Sequence, residues 1–236
     1  MKLAVVIPTY KYHIPLLKAT LESIVAQTCF PDLVIVHASS CDTECRGILA
    51  GLRNAQWPFP LLILETEKAQ HTAQNKNDGA AAVPEEIDVI SFFDSDDLMH
   101  PRRIEFVKQY ISEGYDVVYH GFMYSSEWNI MEEPKPILDC YIKQETVAAA
   151  FSGKHFTIRR LIFLDEEDNA ITYSDGNVTL RKHCFERIKY NTEARGHQDA
   201  VFASELHQAR YKLVHLSIPL MMYTRVSEEE FIKKAM

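Results

Sequence analysis

Neither of the common glycine-rich phosphate loops is present in this 236-residue chain. There is no G-x-x-x-x-G-K-[ST] run, and no G-x-G-x-x-G follows the first strand-like segment, where Pro8-Thr9-Tyr10 stands instead. A P-loop kinase and a dinucleotide-dependent dehydrogenase are thereby excluded. Positive charge is also scarce: 25 Lys and Arg against 33 Asp and Glu leave a formal net charge of −8 and a pI near 5.7. No broad cationic surface for nucleic acid is expected, and an anionic ligand has to be met by a few local groups. The five cysteines, Cys29, Cys41, Cys45, Cys140 and Cys184, are odd in number and lack a second metal-spaced pair. That usage fits a reducing compartment, with Cys41 and Cys45 expected one helical turn apart. No apolar run approaches a membrane span, and Leu3-Ala4-Val5-Val6-Ile7 is halted by Pro8, too short for a signal segment. A cytoplasmic location is expected, with the Asn177-Val178-Thr179 sequon unused.

What the chain does have is alternation. Leu3 to Ile7 reads as a strand, and Ile14, Leu17, Leu21, Ile24 and Val25 then share one helical face. Leu33-Val34-Ile35-Val36 and Leu61-Leu62-Ile63-Leu64 repeat the strand signal around a helix that Asp42 caps and Trp57-Pro58-Phe59-Pro60 ends. A helix over Ala73 to Val83, a strand over Val89 to Phe93, a helix opened by Pro101 and a strand at Asp116 to Tyr119 complete the first half. Continuous apolar strands alternating with helices predict a doubly wound α/β fold with a mainly parallel sheet covered on both faces. Beyond it, Ser125 to Pro136 reads as a loop, Ile142 to Phe151 as a helix, and Phe156–Ile158 and Ile171–Tyr173 as strands of a small mixed C-terminal subregion. Val201, Phe202 and Leu206 mark one more helix, Tyr211 to Leu216 one more strand, and residues 227–236 a final helix with a capping box.

Chemistry concentrates at Asp94-Ser95-Asp96-Asp97, where three carboxylates follow the buried strand Val89-Ile90-Ser91-Phe92-Phe93. Ligands of open α/β sheets bind beyond the carboxyl ends of strands, and hard divalent cations seek clustered oxygen ligands while keeping waters and substrate phosphates. A metal–phosphate site is expected. The alternative is that Asp96 and Asp97 only favour the positive end of the following helix. An EF-hand lacks its glycine and distal glutamate here. A haloacid-dehalogenase-like phosphatase also sets Asp-x-Asp after a strand, with the first Asp as nucleophile, but usually on its first strand; here the acids follow the fourth, and Leu98 stands where Thr or Val is usual.

Taken in order, the motifs resemble the family 2-like nucleotide-sugar glycosyltransferases of the GT-A fold. The resemblance rests on Val5-Val6-Ile7-Pro8-Thr9-Tyr10, on Leu21 to Thr28, on Gln74-Asn75-Lys76-Asn77-Asp78-Gly79-Ala80, on the Asp94-Ser95-Asp96-Asp97 acids, and on Gly196-His197-Gln198-Asp199 followed by Phe202 and Leu206. It covers nearly the whole chain and implies one domain over 1–236, with 1–124 holding a nucleotide sugar and 125–226 an acceptor. Pro8, Thr9, Tyr10, Lys76, Asp94, Ser95 and Asp96 are the implied donor-binding residues, with Asp96 a direct ligand of Mn²⁺ or Mg²⁺ and Asp94 near the ribose or a metal-bound water. Asp199 is the implied general base, against a plain N-cap reading. Asp97, Asp175 and Trp128 are candidates for the acceptor, Asp97 alternatively capping the next helix and Trp128 alternatively anchoring its loop. Lys76 stands either near a phosphate or the base, or as an exposed helix lysine. A catalytically silent sugar-nucleotide or glycan-binding module is the remaining alternative.

Two departures from the family pattern follow. The second strand ends in His37-Ala38-Ser39-Ser40 without the acids that commonly hold the base, and Tyr223-Thr224-Arg225-Val226 lacks the late histidine that commonly completes the metal shell. The cation is therefore expected to meet only carboxylate, phosphate and water oxygens, with His215 packed in its strand.

Overall fold

The computed structural model describes residues 1–124, 136–137, 141–151, 154–164, 170–171, 176–194 and 197–224. In chain order the elements are β1 (Leu3–Tyr10), α1 (Leu17–Val25), β2 (Leu33–Ser39), α2 (Thr43–Asn54), β3 (Leu61–Glu65), α3 (Thr72–Ala81), β4 (Val89–Phe92), β5 (Leu98–Met99), α4 (Arg103–Ser112) and β6 (Val117–Tyr124). They continue with β7 (Pro136–Ile137), β8 (Tyr141–Phe151), β9 (Lys154–Leu164), β10 (Ala170–Ile171), β11 (Thr179–Arg181), α5 (Lys182–Arg187), α6 (Gln198–Gln208) and β12 (Leu213–Tyr223).

The main sheet runs in the order β3-β2-β1-β4-β11-β6-β12-β5, with β7 on β12. The pairs β1–β2, β2–β3, β1–β4 and β6–β12 are parallel, whereas β11 lies antiparallel between β4 and β6. Every residue of β1 from Leu3 to Thr9 is buried, and the two-residue period of the strand divides them between the faces. Leu3, Val5 and Ile7 join Leu17 and Leu21 of α1, Leu49 of α2 and Ile104 and Val107 of α4; Ala4 and Val6 join Ala73 and Ala80 of α3, Phe185 of α5 and Phe202 and Leu206 of α6. A strand covered on both sides has to be apolar throughout, which is why it reads as an unbroken run. Gly79 lets α3 press close: a Cβ there would stand 2.8 Å from Val6 Cγ1 and 3.3 Å from Cβ of His37.

The first half follows the pattern read from the sequence. Asp42 caps α2, accepting the Cys45 N–H at 3.0 Å, and Cys41 stands before that cap rather than on the helix. Three readings change. Residues 142–151 form strand β8, not a helix, paired antiparallel with β9 from Tyr141–Leu164 to Phe151–Lys154 and extended by β10 into a three-stranded sheet. Its Lys, Gln, Glu and Ala content favours helix locally, but cross-strand pairing overrides propensity. The short strand β5 intervenes after the acids, so α4 starts at Arg103 with Arg102 as its N-cap, and Asp97 caps nothing. The last strand reaches Tyr223 rather than stopping near Leu216. Trp128, Asp175, Gly196, most of the 125–136 loop and the 227–236 helix lie outside the described residues.

Candidate active site

The strand order turns at β1: β2 and β3 extend the sheet on one side and β4 on the other. At such a switch point the connections leave in opposite directions and open a crevice at the carboxyl ends of the strands. Pro8, Thr9 and Tyr10 at the end of β1 and Asp94, Ser95 and Asp96 just past β4 meet there, and His13, Thr72, Asn75, Gln198, Asp199 and Tyr223 complete the lining. The cleft they line has a volume of about 210 Å³.

The acidic turn is held from behind. Asp97 N–H closes it onto the Asp94 carbonyl at 3.3 Å, and the Thr20 hydroxyl faces the Ser95 and Asp97 carbonyls at 2.7 and 3.0 Å. Asn177 accepts the Asp94 N–H at 2.8 Å and is 1% exposed, which closes its sequon to any modifying enzyme in the folded chain. Beneath lies Arg103, fully buried, donating to the Phe92 and Asn177 carbonyls at 3.2 and 2.8 Å, to Ser91 Oγ at 2.8 Å and to His120 Nε2 at 2.9 Å. Burial brings its guanidinium down to about 9, partly offset by the nearby Asp94. His120, also driven down by burial, is neutral, with its Nδ1 proton toward the Gly121 carbonyl at 2.9 Å. Nothing in the sequence separates Arg103 from a surface arginine in the first turn of a helix; the buried carbonyls it serves come from the end of β4 and from the turn that precedes β11.

Lys76 has the most consequential placement. Its side chain is wholly buried, and Nζ donates to Asp199 Oδ1 at 2.9 Å and to the Gly176 carbonyl at 2.8 Å while standing 3.7 Å from Asp94 Oδ1. Burial alone would lower its pKa; the Asp199 and Asp94 carboxylates outweigh it and hold the ammonium well above its ordinary value. The exposed-lysine alternative is thus overturned. Asp199 sits in the first turn of α6, whose N-cap is His197, so it is not the cap residue. Gly176 is needed in this cluster, because a Cβ there would approach Asp94 Oδ2 to 2.9 Å.

Asp94 is raised to about 6, by burial against the pull of Lys76, with Asp199 and Asp96 adding to the rise. Asp97 is raised to about 8, again chiefly by burial and then by Asp94 and Asp96. It is fully buried, bonded to the Thr224 N–H at 3.2 Å and the Asn177 amide at 3.4 Å, so it faces the protein interior rather than an acceptor. Lys76 is paired with Asp94 and Asp199, and Asp96 lies in the same cleft, so three cleft carboxyls face one ammonium, the electrostatic setting a divalent cation relieves. Among the described residues, the one set of three metal-ligating side chains in mutual reach is Asp116, His183 and Cys184, outside this cleft. Asp116 is already engaged by the Lys212 N–H and Arg181, and burial pushes the Cys184 thiol up to about 12, so that set is structural.

Two basic side chains outside the cleft are structural: Arg181 donates to the Ile111 and Tyr115 carbonyls, and Lys182 to the Pro84 carbonyl. His215 is buried in β12. No described helix is long and apolar enough to cross a membrane.

The family model described as Glycosyl transferase family 2 matches residues 4–189. No curated protein matches the sequence. Among solved structures, S. aureus TarS 1–349 in complex with UDP is similar at a TM-score of 0.64 and 18% identity, over 99% of this chain and 63% of that one. TarS 1–349 with UDP-GlcNAc gives 0.66 and 17%, over 98% and 61%. The mannosyltransferase PcManGT from Pyrobaculum calidifontis, with GDP-Man and Mn²⁺, gives 0.60 and 16%, over 92% and 57%. The chain thus spans less than two thirds of these proteins' lengths, and the likeness shows a shared GT-A architecture with its mostly parallel sheet.

Proposed function

We propose, for a chain that belongs to glycosyl transferase family 2, transfer of a sugar from a nucleotide diphosphate to a hydroxyl acceptor with inversion at the anomeric carbon. The observation that carries the reading is the meeting of Asp94 and Asp96, at the end of β4, with Asp199, from a distant helix, across one cleft with buried Lys76 between Asp94 and Asp199. One domain over 1–236 would use 1–124 for the donor and 125–226 for the acceptor. Pro8, Thr9 and Tyr10 line the donor side with Ser95. A uridine nucleotide is supported by the UDP and UDP-GlcNAc complexes of TarS. Asp175 and Trp128 stay assigned to a glycan or other hydroxyl acceptor from the sequence alone.

The surplus of carboxylates fits Mn²⁺ or Mg²⁺, and Mn²⁺ accompanies GDP-Man in PcManGT. Asp96 would hold the ion directly and Asp94 through water or beside the ribose; such an ion supplies stabilisation for the charge that grows on the leaving diphosphate. Asp199 takes the proton of the acceptor hydroxyl, and Lys76 keeps that carboxylate aimed through its 2.9 Å bond. A hydroxyl activated on the face away from the diphosphate displaces it in one step and inverts the anomeric centre. We place the reaction in the cytoplasm. The phosphatase alternative finds no support, since the acids follow β4, not β1.

Asp199→Asn tests this reading. Donor affinity should stay nearly intact while the transfer rate falls roughly 10²–10⁴-fold, the range for a positioned general base. Proton NMR of the product's anomeric coupling, with single-turnover rates, decides: retained configuration, or a variant as fast as wild type, refutes the mechanism.

A further inference from the structure

The oxygen-only metal shell expected from the sequence meets an unexpected neighbour at the cleft. His13 Nδ1 stands 3.5 Å from Asp96 Oδ2, and both side chains are partly open to the cleft, 30% and 24% exposed. The two residues are far apart in the chain, and the parallel pairing of β1 with β4 sets their loops side by side. His13 is also held in place. Its N–H donates to the Tyr10 carbonyl at 2.8 Å, its carbonyl accepts from Leu16 N–H at 2.9 Å, and Pro15 stiffens the turn that follows. The imidazole also lies against the Tyr10 ring, tilted by 50° with centroids 4.5 Å apart.

We propose that His13 is the nitrogen ligand of the cation that Asp96 holds, taking the place of the late histidine this chain lacks; the inference rests on the metal-dependent reading of the cleft. Donors at about 2.1 Å from one ion stand about 3 Å apart on neighbouring positions and about 4.2 Å on opposite ones, so the observed separation admits an ion between the two atoms with little movement. Diphosphate and water oxygens fill the other positions. An imidazole donor also shifts selectivity: it favours the later first-row ions and adds little for Mg²⁺, which prefers oxygen.

The test uses the whole chain with Mn²⁺ and UDP, and in parallel with Mn²⁺ and GDP. Electron spin-echo spectroscopy of the bound Mn²⁺ in wild type should show nitrogen modulation that changes on ¹⁵N-histidine labelling. His13→Phe, which keeps the ring packing on Tyr10, should abolish the modulation. It should also weaken Mn²⁺ binding to the nucleotide complex by about tenfold while leaving the Mg²⁺ affinity within about twofold, the asymmetry expected of a lost imidazole. Nitrogen modulation that is absent in wild type, or that survives in His13→Phe, overturns the assignment even if Mn²⁺ still binds and Asp96→Asn removes it. In that case the metal-dependent reading stands. If neither nucleotide brings Mn²⁺ to the wild-type protein, both fall together.

Discussion

Replacing Lys76 by Met exposes how the cleft is kept together. Met fills nearly the same volume, so the change removes a charge rather than opening a cavity. It leaves Asp199 and Asp94, formerly 2.9 and 3.7 Å from the ammonium, facing each other without a cation, and leaves the Gly176 carbonyl without its donor. Removing one partner of a buried ion pair costs about 3–5 kcal/mol. Here the orphaned carboxylates are 24% and 30% exposed and recover some hydration, which brings the cost to the bottom of that range or just below it. We expect a loss of about 2–3 kcal/mol, which for a chain of this length lowers Tm by about 4–12 °C. The pH dependence carries the sign. Asp94, already raised to about 6, loses with Lys76 the charge that draws it down, so its folded pKa moves further above the unfolded one and the stability it contributes is present in acid and lost as pH rises. The gap between variant and wild type should therefore shrink when pH is lowered from about 7.5 to about 4.5. Thermal unfolding by circular dichroism across that range is the assay. A Tm shift under about 2 °C at neutral pH, or a gap that does not narrow in acid, refutes the placement of Lys76 as the charge that stabilises this cluster.

Asp97, raised to about 8, makes the ligand-free protein lose stability as pH climbs from about 7 to about 8, by up to about 1.4 kcal/mol per pH unit. The buried histidines His37, His100 and His120, whose values burial lowers, contribute alike to wild type and variant, so the slope that Asp97→Asn removes is read as the difference between the two in urea titrations; equal slopes contradict the assignment. Gly176→Ala would set a methyl 2.9 Å from Asp94 Oδ2, 3.5 Å from Lys76 Nζ and 3.6 Å from Asp199 Oδ2. The Asp94 carboxylate must then swing, and calorimetry should find Mn²⁺-dependent UDP affinity reduced by about tenfold, roughly 1.4 kcal/mol; full affinity would show that Asp94 has no part in donor binding.

The sequence by itself determined the elements whose signal is local and unbroken. Strands β1 and β4 are buried on both faces and read as continuous apolar runs, and the acids that follow β4 are contiguous, so both the sheet and the acidic end of the cleft were legible. Asp42 announced α2 because a cap acts over a few residues. The tertiary structure alone decided the rest, for the reason that each deciding interaction joins residues remote in the chain. Lys76 has the same helical signature whether it faces solvent or the buried cluster it reaches 123 residues away at Asp199. Arg103 serves carbonyls from separate segments, β8 is a strand only because β9 lies beside it, and Asp97 was drawn from the acceptor side into the core by Asn177 and Thr224. His13 came beside Asp96 through the pairing of two strands remote in the chain.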